Sequence, residues 1–284
     1  MSRNKQLVIS GYHITEILKH KIGDISISLD LGLTYSTVIK YETEIVFQDG
    51  QRIELKQLEK INKRRRPEDC FLVEGGNLTF IYSFENNRVY KLYEPHIDRS
   101  PTLWINGNMM HAVSYSNPVE EARNKVSALG NIYGNVIDTC FGLGYTAIDL
   151  ARSGAKKVCT YEISPSVIEI AHINPWSRNA FENKKIELAN SDIRSAIKYL
   201  EADEFDLMLH DPPNLKMEGT LYSADFYTEL FRVLKKGGSL YHFVGGGRVP
   251  REYKIDYLKG VTSRLYKAGF KNVRKSYRGV IATK

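Results

Sequence analysis

Two periodicities divide the chain near residue 117. Before that point apolar residues alternate with polar ones in short runs rich in β-branched and aromatic side chains: DISISLDLGLT, TEIVFQDGQRIEL, NLTFIYSFENNRVYKLY and PTLWING. A period of two, with an Asp49-Gly50 turn, predicts antiparallel hairpins. Helical spacing interrupts them twice, in GYHITEILKHK near the start and in ELKQLEKINKRRR through Leu55, Leu58 and Ile61. After Asn117-Pro118, an expected helix start, strand-like and helix-like runs take turns, as in a parallel sheet with crossover helices. The pattern predicts a smaller β-rich domain over 1–117 and an α/β domain over 118–284.

The second half reads in order. GNVIDTC is a strand, TAIDLARSG a helix, KKVCTYEI a strand, PSVIEIAHIN a helix and KIELANSD a short strand ending at Asp192. DIRSAIKYL is helical, FDLMLHDPPN is the fourth strand with its loop, SADFYTELFRVLKKGG is a helix stopped by glycines, and GSLYHFVGG is the fifth strand. Loops at the carboxyl ends of such strands hold ligands. Asp138, Glu162, Asp192 and Asp211 all fall there. Any one of these acids could simply cap the next helix, and a lone Gly142-Leu143-Gly144 is weak. Four acids closing four successive strands, with glycines in the first loop, point to a nucleoside. Asp138 is expected to orient the loop and meet a cationic end of the cofactor, Glu162 to accept ribose hydroxyls, and Asp192 with Ile193 to flank a base. Ala147 stands at the third position of a GxGxxG-like pattern, so this loop alone leaves a dinucleotide open.

Composition narrows the setting. No run is apolar enough for a membrane span, and MSRNKQLVISGYH lacks an apolar core followed by a cleavage site, so a cytosolic protein is expected. The three cysteines, Cys70, Cys140 and Cys159, offer neither a disulfide framework nor a metal-ligand pair, and no structural metal is expected. The formal net charge is +7, and its placement matters more than its size. From Arg248 to Lys284 eleven Lys or Arg face only Glu252 and Asp256, a local +9 that leaves about −2 for the rest. A basic tail attracts polyanions and repels a small cationic substrate; it also reads as a solvated helix face. Arg274, Lys275 and Arg278 are its candidate phosphate contacts.

The sequence His210-Asp211-Pro212-Pro213-Asn214 resembles the DPPY-like motif of class I S-adenosylmethionine-dependent amino-methyltransferases. With LDLGLTYSTV, VYKLYEP, NMMHAV, DTCFGLGYTAI, NPWSRNAF, LYSADFYTELFRVLKKGGSLYHFVGGG and GVIATK, the chain looks like an archaeal family of predicted methyltransferases, related in layout to spermidine synthases. The resemblance implies a Rossmann-like class I methyltransferase fold, with a mostly parallel seven-stranded sheet and a smaller N-terminal β-rich domain. It implies S-adenosyl-L-methionine as cofactor. Cofactor contacts are then expected from Asp138, Cys140, Gly142, Gly144, Tyr145, Thr146, Glu162, Ile163, Asp192 and Ile193, with His111 of NMMHAV closing the pocket or serving as a structural histidine. Two departures stand out. The Asp-rich loop of spermidine synthases is replaced by Pro-Pro-Asn, and Asn214 stands where DPPY has its stacking aromatic.

Asp-Pro-Pro-Asn suits an amine. The exocyclic nitrogen of cytosine or adenine has its lone pair delocalised into the ring, so acceptors must turn it toward the methyl group. The Asp211 carboxylate or the Asn214 side-chain oxygen, with the Pro212 carbonyl, can accept both N–H groups, while Pro212 and Pro213 stiffen the loop. Trp176, Tyr222 or Phe226 are candidates for stacking on a flipped base, although aromatics at such spacing commonly belong to a core. Carbon-5 methylation of a pyrimidine is disfavoured, because no cysteine lies near the fourth or fifth strand. The expected activity is methylation of an exocyclic base amine in structured RNA, most narrowly a cytosine of ribosomal RNA. The alternative is an aminopropyltransferase or other small-amine transferase, and a cofactor-binding RNA module without catalysis is a third possibility.

Overall fold

The computed structural model describes residues 6–111, 113, 117–213, 215, 218–245 and 251–284, with the backbone alone for 251–256. The chain forms two compact units, Met1–Val113 with Glu169–Arg178, and Ser114–Ile168 with Asn179–Lys284. No helix among the described residues is long and apolar enough to cross a membrane.

The N-terminal part runs β1 (Leu7–Ser10), α1 (Gly11–Lys19), β2 (Gly23–Ser28), β3 (Tyr35–Lys40), β4 (Glu44–Val46), β5 (Arg52–Glu54), α2 (Leu55–Arg64), β6 (Cys70–Glu74), β7 (Asn77–Phe80), β8 (Tyr82–Glu85), β9 (Arg88–Tyr93), β10 (Thr102–Ile105) and β11 (Asn108–Met109). Three antiparallel sheets result, in the orders β1-β6-β7, β2-β3-β4-β5 and β11-β10-β9-β8. The alternation of the sequence becomes the inward face of these strands. Ile25, Ile27, Val38, Ile45 and Ile53 pack with Ile14 and Ile17 of α1 and Leu58 of α2.

Polar groups fix both ends of α1. At its start the buried His13 ring accepts the Ser10 N–H at Nδ1 (3.1 Å) and lies 2.8 Å from the Ser10 hydroxyl. Its Nε2–H then faces Asp98 at 3.0 Å. At its end the buried Lys40 ammonium donates to the carbonyls of Ile17, Leu18 and His20 at 2.9, 2.9 and 2.7 Å, supplying the donors that a helix terminus lacks.

The rest of the chain runs α3 (Pro118–Ser127), β12 (Asn135–Asp138), α4 (Tyr145–Ser153), β13 (Lys157–Glu162), α5 (Pro165–Ile173), α6 (Arg178–Glu182), β14 (Ile186–Asn190), α7 (Ile193–Ala196), β15 (Phe205–His210), α8 (Ala224–Val233), β16 (Leu234–Phe243), α9 (Arg251–Lys267), β17 (Lys271–Ser276) and β18 (Gly279–Thr283). Helix α3 starts where Asn117-Pro118 predicts: the Asn117 side chain accepts the Val119 N–H at 3.0 Å, and Pro118 fills the first turn.

The seven strands of this part form one sheet in the order β14-β13-β12-β15-β16-β18-β17. Strands β12 to β16 are parallel to one another, and β18 runs against its two neighbours. The chain reverses its direction of travel across the sheet between β12 and β15, so the loops after these two strands diverge and leave a crevice at their carboxyl ends. One boundary differs from the sequence reading. Lys235, Lys236 and Gly237 belong to β16 and not to the preceding helix, because Leu234 is already paired with Phe205 and a register irregularity follows.

Lys40 yields a stability prediction. Lys40→Met removes three charge-assisted hydrogen bonds and leaves carbonyls at the end of α1 without a donor, so chemical denaturation should show a loss of about 3 kcal/mol. Lys19→Met, exposed on the same helix, should change stability by less than about 0.5 kcal/mol.

Candidate functional site

The carboxyl ends of β12, β13 and β15 bring the predicted acids together. Asp138, the last residue of β12, is fully buried. Its Oδ2 accepts the hydroxyls of Thr146 (2.9 Å) and Thr160 (3.2 Å), tying the start of α4 and strand β13 to β12, while Oδ1 is buried without a hydrogen-bond partner among the described residues. Burial, followed by the nearby Asp211 charge, pushes the Asp138 carboxyl up to about 7, and the Thr146 hydrogen bond offsets part of this.

Glycine is required at the turn. Gly144 has φ 75°, and a Cβ there would lie 2.6 Å from the Phe141 ring and 2.9 Å from Ala180. Gly142, also at positive φ, donates its N–H to Glu162 Oε2 at 3.0 Å, and Ser164 donates to Oε1 at 3.0 Å. One carboxylate thus holds the loops after β12 and β13. Ile163 beside it is 57% exposed. Tyr145 and Thr146 are buried in the first turn of α4. Burial pushes the Cys140 thiol well up despite the Thr139 hydrogen bond, so it stays a protonated wall of the loop.

Asp192 and Ile193 play more structural parts in this structure. Asp192 lies two residues beyond β14, caps α7 by accepting the Arg194 N–H at 2.9 Å, and also pairs with the Arg194 guanidinium at 2.7 Å. Burial works against its charge, but the Arg194 bonds prevail and its carboxyl is lowered. Ile193 is packed in the core of this unit.

Asp211 follows β15 directly. Its Oδ2 lies 2.6 Å from Nζ of Lys125, a buried residue of α3, and the same ammonium sits 4.1 Å from the centre of the Phe243 ring. Four residues earlier on α3, buried Glu121 takes the Arg278 guanidinium at 2.6 Å. Arg278, expected on RNA phosphates, is therefore engaged in an internal ion pair, whereas Arg274 and Lys275 are exposed. Beneath the Asp211 loop lie two buried histidines with ring centres 4.4 Å apart. His210 Nε2 faces the Leu221 carbonyl at 3.0 Å, so Nε2 carries the proton and Nδ1 accepts from the Thr139 hydroxyl at 2.7 Å. Burial lowers His210 to about 3 and His242 well below its usual value, so both are neutral supports.

Pro212 is buried and Pro213 exposed, and the Pro213 carbonyl accepts the Tyr222 hydroxyl at 2.9 Å. Tyr222 itself is buried, so it braces the loop from below and presents no open face; Phe226 is core. Asn214 lies outside the described residues. Trp176 and His111 fall in the N-terminal unit. The Trp176 indole donates to the Leu31 carbonyl at 2.9 Å, and His111 Nδ1 lies 2.8 Å from the Thr102 hydroxyl.

The Asp138 environment predicts a pH dependence. The folded protein keeps this proton up to about pH 7, whereas the unfolded chain releases it near 3.8, so stability declines as pH rises across that window and levels off above it. Asp138→Asn, isosteric and uncharged, should raise the thermal midpoint above pH 7, by a stabilisation on the order of 4 kcal/mol at most, and the gain should vanish toward pH 4.

Comparison with known proteins places this arrangement. Residues 124–262 match the family model of the methyltransferase small domain. The chain is 40% identical to an uncharacterized protein of Methanocaldococcus jannaschii over 98% of its own length and 97% of the other's. Among solved structures it is similar to a spermidine synthase in complex with the transition state analogue AdoDATO (TM-score 0.55) and to the spermidine synthase of Thermotoga maritima (TM-score 0.53). Each of these is 17% identical and covers 73% of this chain and 75% of the other, a likeness of fold. The chain belongs to one family with the M. jannaschii protein.

Proposed function

We propose that the chain is a class I methyltransferase that modifies an exocyclic base amine in structured RNA, most narrowly the amino group of a cytosine in ribosomal RNA. The observation that carries this reading is the Asp211 carboxylate at the end of β15, held through one oxygen by buried Lys125 at 2.6 Å. S-adenosylmethionine, when bound, supplies an electrophilic methyl group on a sulfonium. The residues at the first two strand ends fit it: Glu162 would accept the ribose hydroxyls, exposed Ile163 would give an apolar face for the adenine, and Asp138 Oδ1, without a hydrogen-bond partner among the described residues, would be an acceptor for the methionyl ammonium.

At the substrate, Asp211 Oδ1 and the Asn214 amide oxygen accept the two N–H groups and turn the nitrogen lone pair toward the methyl carbon. With the methyl group supplied from the sulfonium, the methylated nitrogen would carry a proton that the Asp211 carboxylate would take and pass to water. Lys125 is a positioning residue. By holding Oδ2, it fixes the rotamer that aims Oδ1. The fold shared with spermidine synthases favours aminopropyl transfer as the second reading; the Pro-Pro in place of an acidic loop weighs against it.

The roles separate in mutants. Glu162→Ala should weaken binding of S-adenosylhomocysteine, measured by calorimetry, by about 1 to 3 kcal/mol. Asp211→Ala should leave that affinity intact and lower methyl transfer at least ~100-fold, with Asn214→Ala nearly as severe. Lys125→Met should lower turnover without moving the cofactor affinity. The assay uses RNA from a strain lacking the enzyme and identifies methylated nucleosides by mass. Methyl groups on ribose or a ring carbon, full activity of Asp211→Ala, or aminopropyl transfer to a diamine by the pure protein would sink the reading.

A further inference from the structure

Helix α9 and edge strand β17 enclose an open groove of about 580 Å³ that the reaction itself does not use. Lys259 and Lys267 line it from the helix, Arg274 and Lys275 from the strand, and all four are exposed. No acidic side chain lines it among the described residues. Tyr266, 51% exposed, stands in the same wall, and the floor includes apolar Val280.

The arrangement follows from local structure. Position 263 lies four residues after 259, and 266 and 267 lie three and four residues after 263, which places them on one helical stripe. In β17 the pairing with β18 loses register between Lys271 and Arg274, and such irregularities break strict alternation and re-aim side chains. Four cations without a neutralising acid favour an anionic occupant, and the exposed phenol ring adds a stacking surface. A charged face built only for solubility has no need of either the concave shape or the aromatic wall.

Topology connects the groove to the reaction centre. Strand β16 is parallel to β15, β18 is antiparallel to β16, and β17 is antiparallel to β18, so β17 ends at the same sheet edge as β15. The carboxyl ends of β17 and β15 are three strand spacings apart, about 14 Å. Along α9, Lys259 and Lys267 are separated by about 12 Å, the span of three to four phosphates in a stacked strand.

Resting on the RNA reading above, we infer that the α9–β17 groove is the docking surface for the RNA backbone flanking the modified nucleotide, with Lys259, Lys267, Arg274 and Lys275 on phosphates and Tyr266 stacked on a base. Arg278, committed to Glu121, is not part of it.

Fluorescence anisotropy of the full chain with a labelled, unpaired 12-nucleotide RNA of mixed sequence tests this between 50 and 200 mM KCl. Each single Lys→Ala or Arg→Ala change in the groove should reduce the slope of log affinity against log salt by about 0.7. Tyr266→Ala should weaken binding about tenfold, and Tyr266→Phe should restore it. S-adenosylhomocysteine affinity should stay at the wild-type value throughout, which shows that the exposed changes leave the fold intact. A variant lacking all four cations that keeps the wild-type slope overturns the groove assignment, and if it still methylates RNA, the function proposed above stands without it. A wild type that neither binds nor methylates RNA overturns both.

Discussion

A fully buried carboxyl group, that of Asp138, organises the C-terminal unit. Asp138 ends β12, an interior strand of a seven-stranded sheet, where its burial is complete and both the first turn of α4 and strand β13 are held to it. A group in that position cannot be satisfied by solvent, so the neighbouring elements supply hydroxyls from Thr146 and Thr160. Those two bonds fix where the glycine turn leaves the strand. Glu162 then completes the arrangement by drawing the Gly142 and Ser164 amides to one carboxylate, so the first two loops move as one.

The third loop is organised differently. Asp211 is held by charge rather than by hydroxyls, and the charge comes from a helix that precedes the whole sheet. Breaking such a pair by removing one partner costs more than the pair contributes, because the remaining ion stays in a poorly solvated place. Below it, neutral His210 and the Tyr222 hydroxyl hold the strand end and the Pro213 carbonyl from inside the core. The loop after β15 is therefore braced from the core, while Pro213 itself is exposed.

What the sequence disclosed, and what it hid, follows from the range of each interaction. The strand-end acids were legible because periodicity places strand ends and each acid needs only its own strand to be placed. Glu121 and Lys125 were not, since opposite charges four apart on a helix read as an exposed i,i+4 pair, and only the packing of α3 turns both inward. Arg278 and Arg274 are indistinguishable as letters in a basic tail; one meets a buried acid 157 residues away in sequence and the other meets solvent. The start of β16 was hidden for a similar reason, because Leu234-Lys235-Lys236-Gly237 has the local signature of a helix end, and its strand character comes from pairing with β15. Asp192 illustrates the opposite case, in which the ordinary role of a helix cap is the one the structure displays.

The placement of charge also bears on the chemistry proposed. Methyl transfer to an amine gathers positive charge on nitrogen before a proton leaves, so bare cations close to that atom would oppose the reaction. Near the Asp211 loop the two internal cations are each matched by an acid: Lys125 by Asp211, Arg278 by Glu121, with Phe243 beside both. Cations without an acidic partner among the described residues lie three strands away, along α9 and β17, on the same edge of the sheet. At about 14 Å, beyond the Debye length of roughly 8 Å at physiological ionic strength, their field is largely screened at the reacting nitrogen, yet a polyanion lying across the edge can touch both places. Separation of this kind lets one surface attract a backbone while another stabilises a developing positive charge, which a single basic cleft cannot do.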